Sequence, residues 1–109
     1  GDIWSRPGLS MRDKRIMTLS VVTALGLPDL AEIQVNAALE NGEMTSDELR
    51  EMALFITHYV GFPLGSGFNG VVERVAAKRR KAAAAGGADD KKAAAEAVLR
   101  MNSGDKSTD

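Results

Sequence analysis

At 109 residues with a formal net charge of −1, the chain has room for one domain and lacks the global field that would draw nucleic acid or a membrane surface. It contains no cysteine and one histidine, which excludes disulfides, thiolate nucleophiles, CxxC redox chemistry and cysteine-ligated metal, and argues against a self-contained metal site. A chain of this size buries only about two thirds of its surface, so a monomer is moderately stable and oligomerisation is expected. The longest mainly apolar segment, Ile16 to Leu27, is interrupted by Thr18, Ser20 and Thr23 and is too short to span a bilayer. No signal peptide is visible, and because the sequence opens at Gly1 without a methionine, this end does not decide targeting.

In chain order, Trp4 to Leu9 (WSRPGL) reads as an extended arm ended by a Pro-Gly turn, with Trp4 and Leu9 as anchors and Arg6 between them. Ser10 and Asp13 resemble a capping box that opens a helix from Met11 to about Leu25, closed by Gly26. The second half of this helix is apolar on most sides, the pattern of a buried helix. Pro28 suits the first turn of a second helix, whose Leu30, Ile33, Ala37 and Ala38 form a core stripe before Asn41-Gly42 ends it. Gln34 lies inside that stripe, where an amide must find hydrogen-bond partners, so it is either a bridge between helices or part of a pocket wall.

Thr45 to Pro63 (TSDELREMALFITHYVGFP) holds the only histidine and the only tyrosine in one predicted helix, started by a Thr45/Glu48 capping box and stopped by Gly61 and Pro63. Leu49, Met52, Ala53, Ile56 and Val60 share one side of it, with Phe55 and Tyr59 beside them, and that side is expected to be core. Glu48 and Tyr59 line up on the border of the apolar face, while Glu51 and His58 share the adjacent stripe. A carboxylate or imidazole at such a border suits proton transfer, since partial burial moves its pKa. The plainer alternative makes Glu48 a cap, Glu51 a solvated charge and Tyr59 a core residue.

A fourth core helix follows, with Leu64, Phe68, Val71, Val72, Val75 and Ala76 at helical spacing. Gly65, Gly67 and Gly70 match G-x-G-x-x-G, but no strand precedes them, so the dinucleotide reading lacks its context. These glycines instead permit close helix contact or leave space above the helix start. The basic run Lys78 to Lys81 complements the negative end of the helix dipole. From Ala82 the composition turns to alanine, glycine and charge. Gly86-Gly87 reads as a hinge, Asp89 to Met101 as a short tail helix, and the rest as disordered. Aspartates interrupt this tail and no aromatic platform accompanies it, which argues against nucleic-acid binding.

Taken together, WSRPGLSMRDKR, the pattern N-G-x-x-T-x-x-E-L-x-E in NGEMTSDELRE and Y-x-G-x-P in YVGFP resemble the carboxymuconolactone decarboxylase family, within the alkylhydroperoxidase-D-like superfamily. The resemblance covers about residues 1–75. It implies an all-α helical bundle of four core helices plus a tail helix, with residues 1–81 as the family domain and 82–109 as an appended tail. It also implies a trimer or hexamer with sites near subunit interfaces, and decarboxylation of an unsaturated lactone acid in aromatic catabolism, with the cytoplasm as the expected setting. Arg6 matches the arginine of R-P-G-L, Glu48 the first glutamate of E-L-x-E, and Tyr59 the tyrosine before Gly61. Where similar decarboxylases carry a histidine before valine, this chain has Gln34-Val35. Where they often carry cysteine, and where the peroxidase branch begins its CxxC, it has Val60 and Pro63, so thiol peroxidase chemistry is disfavoured.

Loss of CO2 leaves negative charge that a cation or hydrogen-bond donor must stabilise, followed by protonation from an acid. The expected site therefore has Arg6 and Gln34 binding a small carboxylated lactone or related acid, with Glu48, His58 and Tyr59 as proton-transfer groups and neither cofactor nor metal. The competing expectation is a non-catalytic helical oligomer or assembly subunit that kept the scaffold.

Overall fold

The computed structural model describes the backbone of residues 2–102 and the side chains of residues 2–86. A single 3-10 turn, Ile3–Ser5, precedes four α-helices: α1 (Met11–Ala24), α2 (Pro28–Glu40), α3 (Ser46–Val60) and α4 (Phe62–Asn102). The described residues contain no strand, so the fold is all-α. The chain divides after Ala76 into two units.

The helix ends follow the local chemistry of the sequence. Ser10 caps α1 by accepting the Asp13 N–H at 3.0 Å. Gly26 (φ +68°) and Gly42 (φ +67°) end α1 and α2 in the left-handed conformation that glycine adopts without a Cβ penalty. Beyond each glycine the next N–H returns to a carbonyl of the last turn, Leu27 to Val22 and Glu43 to Ala38, both at 2.9 Å. These are Schellman closures. Both halves of the capping box at the start of α3 form: the Glu48 N–H donates to Thr45 Oγ1 at 3.1 Å and the Thr45 N–H to Glu48 Oε1 at 2.9 Å.

In the first unit, Leu19 and Val22 of α1 meet Ala31, Val35 and Ala38 of α2, Leu49, Ala53 and Ile56 of α3, and Phe68, Val71, Val72 and Val75 of α4 in one apolar core. The α3 and α4 parts of this core agree with the spacing of the sequence. Three other expectations need correction. On α2 the buried stripe is Ala31, Val35 and Ala38, while Leu30 and Ile33 face outward. Two of these three buried residues are alanines, whose small side chains suit a helix–helix contact line, while Leu30 and Ile33 fall off that line. Met17 and Val21 of α1 and its C-cap Leu25 are exposed, so the helix is one-sided rather than wholly buried. On α3, Phe55 and Tyr59 lie outside the core: their rings stack on each other at 5.2 Å, and Tyr59 remains 77% exposed.

The arm is likewise shorter of anchors than its sequence suggests, since Trp4 is half-buried but Leu9 is exposed. In place of apolar burial, the Lys14 ammonium donates to the carbonyls of Trp4 (2.6 Å) and Arg6 (2.5 Å). Gly65 fulfils the close-contact role proposed for the glycine triplet. A Cβ there would lie 2.0 Å from Thr57 Oγ1 and 2.8 Å from Thr57 Cα, so α3 and α4 touch backbone to side chain at this point. At Gly67 a Cβ would meet nothing within 4 Å.

In the second unit, the expected hinge at Gly86-Gly87 does not form, and α4 runs through it to Asn102. Each helical glycine costs about 1 kcal/mol relative to alanine, a penalty that the alanine-rich sequence on both sides can absorb. The disordered end expected after Met101 lies, from residue 103 on, outside the described residues. Among the described residues, no helix is long and apolar enough to cross a membrane and no group of three or more side chains is suited to a metal ion.

Candidate active site

Glu48 is held at both carboxylate oxygens. Oε1 accepts the Thr45 N–H of the capping box, and Oε2 accepts from Arg12 Nη2 at 2.7 Å. The same guanidinium uses Nη1 to donate to the Glu43 carbonyl at 2.9 Å, so Arg12 ties α1 to both the α2–α3 loop and the first turn of α3. Arg12, foremost, and the Thr45 N–H behind it hold the Glu48 carboxyl below the usual carboxylate range. The pair is open to solvent, the two side chains being 43% and 42% exposed.

One turn along α1, Arg15 makes the buried counterpart. Its Nε donates to Glu43 Oε1 at 2.7 Å and its Nη2 to Glu43 Oε2 at 3.3 Å, with side chains only 9% and 6% exposed. Nη1 donates to Gln34 Oε1, and the Trp4 ring covers the guanidinium at 4.6 Å in a cation–π contact. Asn41 Nδ2 adds a 3.3 Å bond to Glu43 Oε2. The Arg15 hydrogen bond pulls the Glu43 pKa down, against burial, which pushes it up.

The structure thus joins Glu48 and Gln34 through one network of arginines and Glu43. Gln34 is the inter-helix bridge of its two alternatives, linking α2 to α1. The other three residues singled out from the sequence lie apart from this network. His58 is exposed, with Nδ1 2.9 Å from the Leu54 carbonyl of its own helix, and Tyr59 stacks on Phe55. Arg6 lines a groove of about 440 Å³ beneath the N-terminal arm, walled by Ile3, Trp4, Leu9, Lys14 and Met17.

Arg12, Arg15 and Glu43 are the site residues that sequence reasoning missed. One signal was available. Arg15 falls on the apolar stripe of α1, four residues before Leu19 and seven before Val22, and a charge there requires a buried partner.

A helical bundle that pairs arginines of its first helix with one glutamate before its third and one in that helix's first turn defines an all-α protein with a carboxylate–guanidinium site. The chain belongs to the carboxymuconolactone decarboxylase family, whose model matches residues 1–73. It is similar to 4-carboxymuconolactone decarboxylase of Acinetobacter baylyi, at 36% identity over 75 residues that cover 69% of this chain. The chain spans about half the length of that curated relative, 55%. No solved structure matches it.

Proposed function

We propose that the chain is a carboxy-lyase-like enzyme that decarboxylates, or moves a proton on, a small carboxylated lactone or related acid with its own side chains and no cofactor. The observation that carries this reading is the Arg12–Glu48 pair. An ionised carboxylate and a guanidinium sit 2.7 Å apart, half open to solvent, on the glutamate that matches the family pattern. That juxtaposition supplies a cation for a substrate carboxylate and a group able to exchange a proton.

Residues 1–81 act as the family domain in this reading, with 82–109 as an appendage. Arg6, His58 and Tyr59 join the site through assembly, the chain acting as a trimer or hexamer in which a neighbour covers the outer edge of α3. The name of the Acinetobacter relative supports the substrate class.

A second reading, a scaffold without catalysis, is favoured by one observation: the Glu48 carboxylate completes the capping box of α3 by accepting the Thr45 N–H and Gln34 bridges two helices, so both have structural employment. A Glu48→Gln variant separates the two readings. Glutamine preserves the capping box and removes the charge, so the variant is expected to melt close to the wild type while CO2 release from a panel of lactone acids falls by about a hundredfold or more. No release from the wild-type protein across the panel would leave the scaffold reading standing.

A further inference from the structure

The first unit holds five arginines; Arg74 pairs with Glu32 at 3.5 Å, away from Glu48, and the surroundings of the other four differ. Arg15 is closed in by Glu43, Gln34 and Trp4. Arg50 is committed to Glu73 through Nε at 3.0 Å and to Asp47 through Nη1 at 2.9 Å. Arg6 lines the arm groove and shares no contact with Glu48 among the described bonds. Arg12 alone among them both touches Glu48 and keeps close to half of its side chain in solvent.

We propose that Arg12 is the group that receives the substrate carboxylate, and that the substrate, by drawing Arg12 away from Glu48, loads Glu48 with the proton the reaction consumes. The inference rests on the lyase reading and assigns that site's anion-binding residue and its proton source.

The geometry suits such an exchange. Arg12 Nη1 stays anchored on the Glu43 carbonyl, so the guanidinium can release Glu48 without leaving the site. Glu48 Oε1 keeps the Thr45 N–H, while Oε2, freed from Arg12, is the oxygen that takes up a proton from solvent. Arg12 is the cation on Glu48. Of the neighbouring carboxylates, Glu43 on the loop is occupied by Arg15, and Asp47 and Glu51 lie on the same helix as Glu48, Asp47 being paired with Arg50. Loss of the Arg12 hydrogen bond to Oε2 and the arrival of a substrate anion, which neutralises the guanidinium beside it, both favour the neutral acid.

The step then balances. The carbon–carboxylate bond breaks, CO2 leaves, and the bonding electron pair stays on the substrate, delocalised toward the lactone carbonyl. That carbanion takes the proton from Glu48 Oε2. The regenerated carboxylate pairs again with Arg12 as the product, one carboxylate poorer, departs. One solvent proton is consumed for each CO2 released, and neither oxidant nor reductant is needed.

Calorimetric titration of the full chain with a saturated γ-butyrolactone γ-carboxylate, whose carbanion could not be delocalised to the carbonyl and which therefore keeps its CO2, tests this at neutral pH in two buffers of different ionisation enthalpy. The expected result is binding with uptake approaching one proton per site. Glu48→Gln should keep the binding and lose the uptake, Arg12→Gln should weaken binding by about tenfold or more, and Arg12→Lys should restore part of it. Should Arg12→Gln fail to fold, the other two variants still decide. Binding without proton uptake, unaltered binding in Arg12→Gln, or no binding to the wild type would overturn the proposal. The two readings fail separately: lactone turnover without proton uptake spares the lyase reading alone, whereas uptake without turnover of any lactone acid spares the carboxylate exchange alone.

Discussion

Arg15 is a charge placed where the helical pattern calls for an apolar side chain, and the fold answers with Glu43, Gln34 and the face of Trp4. A buried ion pair adds little over a well-packed apolar pair, but removing one partner strands the other charge away from water. Glu43→Ala is therefore expected to lower unfolding stability by about 3 kcal/mol in urea at neutral pH. The pH dependence has a definite sign. Glu43 has a lowered folded pKa, so the folded chain binds fewer protons than the unfolded chain at mildly acidic pH. The stability this contributes is fully present above the ordinary glutamate range and is lost as pH falls through the lowered folded value. Urea midpoints of wild type and Glu43→Ala should accordingly converge in acid. A gap that stays constant into acid would show that the ion pair is not its source.

Among elements, the contact of α3 with α4 turns on a single glycine. Gly65→Ala would press a methyl group into both the hydroxyl and the backbone of Thr57, an overpacking expected to cost about 1–3 kcal/mol. Gly67→Ala, in the same helix but over open space, should instead add up to about 1 kcal/mol through helix propensity. Thermal melts of the two variants moving in opposite directions would bear this out; equal shifts would not. The sequence motif G-x-G-x-x-G contains both glycines and does not distinguish them, because the difference lies in what a neighbouring helix brings near. The same limit separates what local sequence encodes from what it leaves open. Caps and stops at Ser10, Gly26, Gly42, Thr45 and Gly61 were legible because the residues that make them are within a few positions of one another. The apolar stripes of α3 and α4 were legible from period. The partners of the site were not, since Arg12 and Glu48 are 36 residues apart and Arg15 and Glu43 are 28 apart, and nothing local pairs them. The outward turn of Leu30, Ile33 and Phe55 was hidden for a related reason. Hydropathy marks these residues for burial without saying whether their own chain or another provides it.

At the scale of the whole molecule, that last point becomes an argument about assembly. Met17 and Val21 of α1 and its C-cap Leu25 are spaced i, i+4, i+8, and Leu54 on α3 and Phe62 at the start of α4 line one groove; these residues and Phe55 are all exposed in the single chain. Scattered apolar residues on a surface need no explanation, but two contiguous sets on helix faces are the mark of protein contacts. The proposed homo-oligomer would cover both, and it would bring a neighbour over the edge of α3 that carries His58 and Tyr59. Sedimentation equilibrium is expected to give three or six times the chain mass, and truncation after Lys81 should leave the number of chains unchanged, since both sets precede it. Val21→Glu or Phe55→Glu should reduce it toward the single chain with helicity retained, because a carboxylate in an apolar contact must be desolvated without a partner. A wild-type protein that sediments as one chain at micromolar concentration would rule the assembly out. With it would go any part for His58 and Tyr59 in a shared site, leaving Arg12 and Glu48 to carry the chemistry within one subunit.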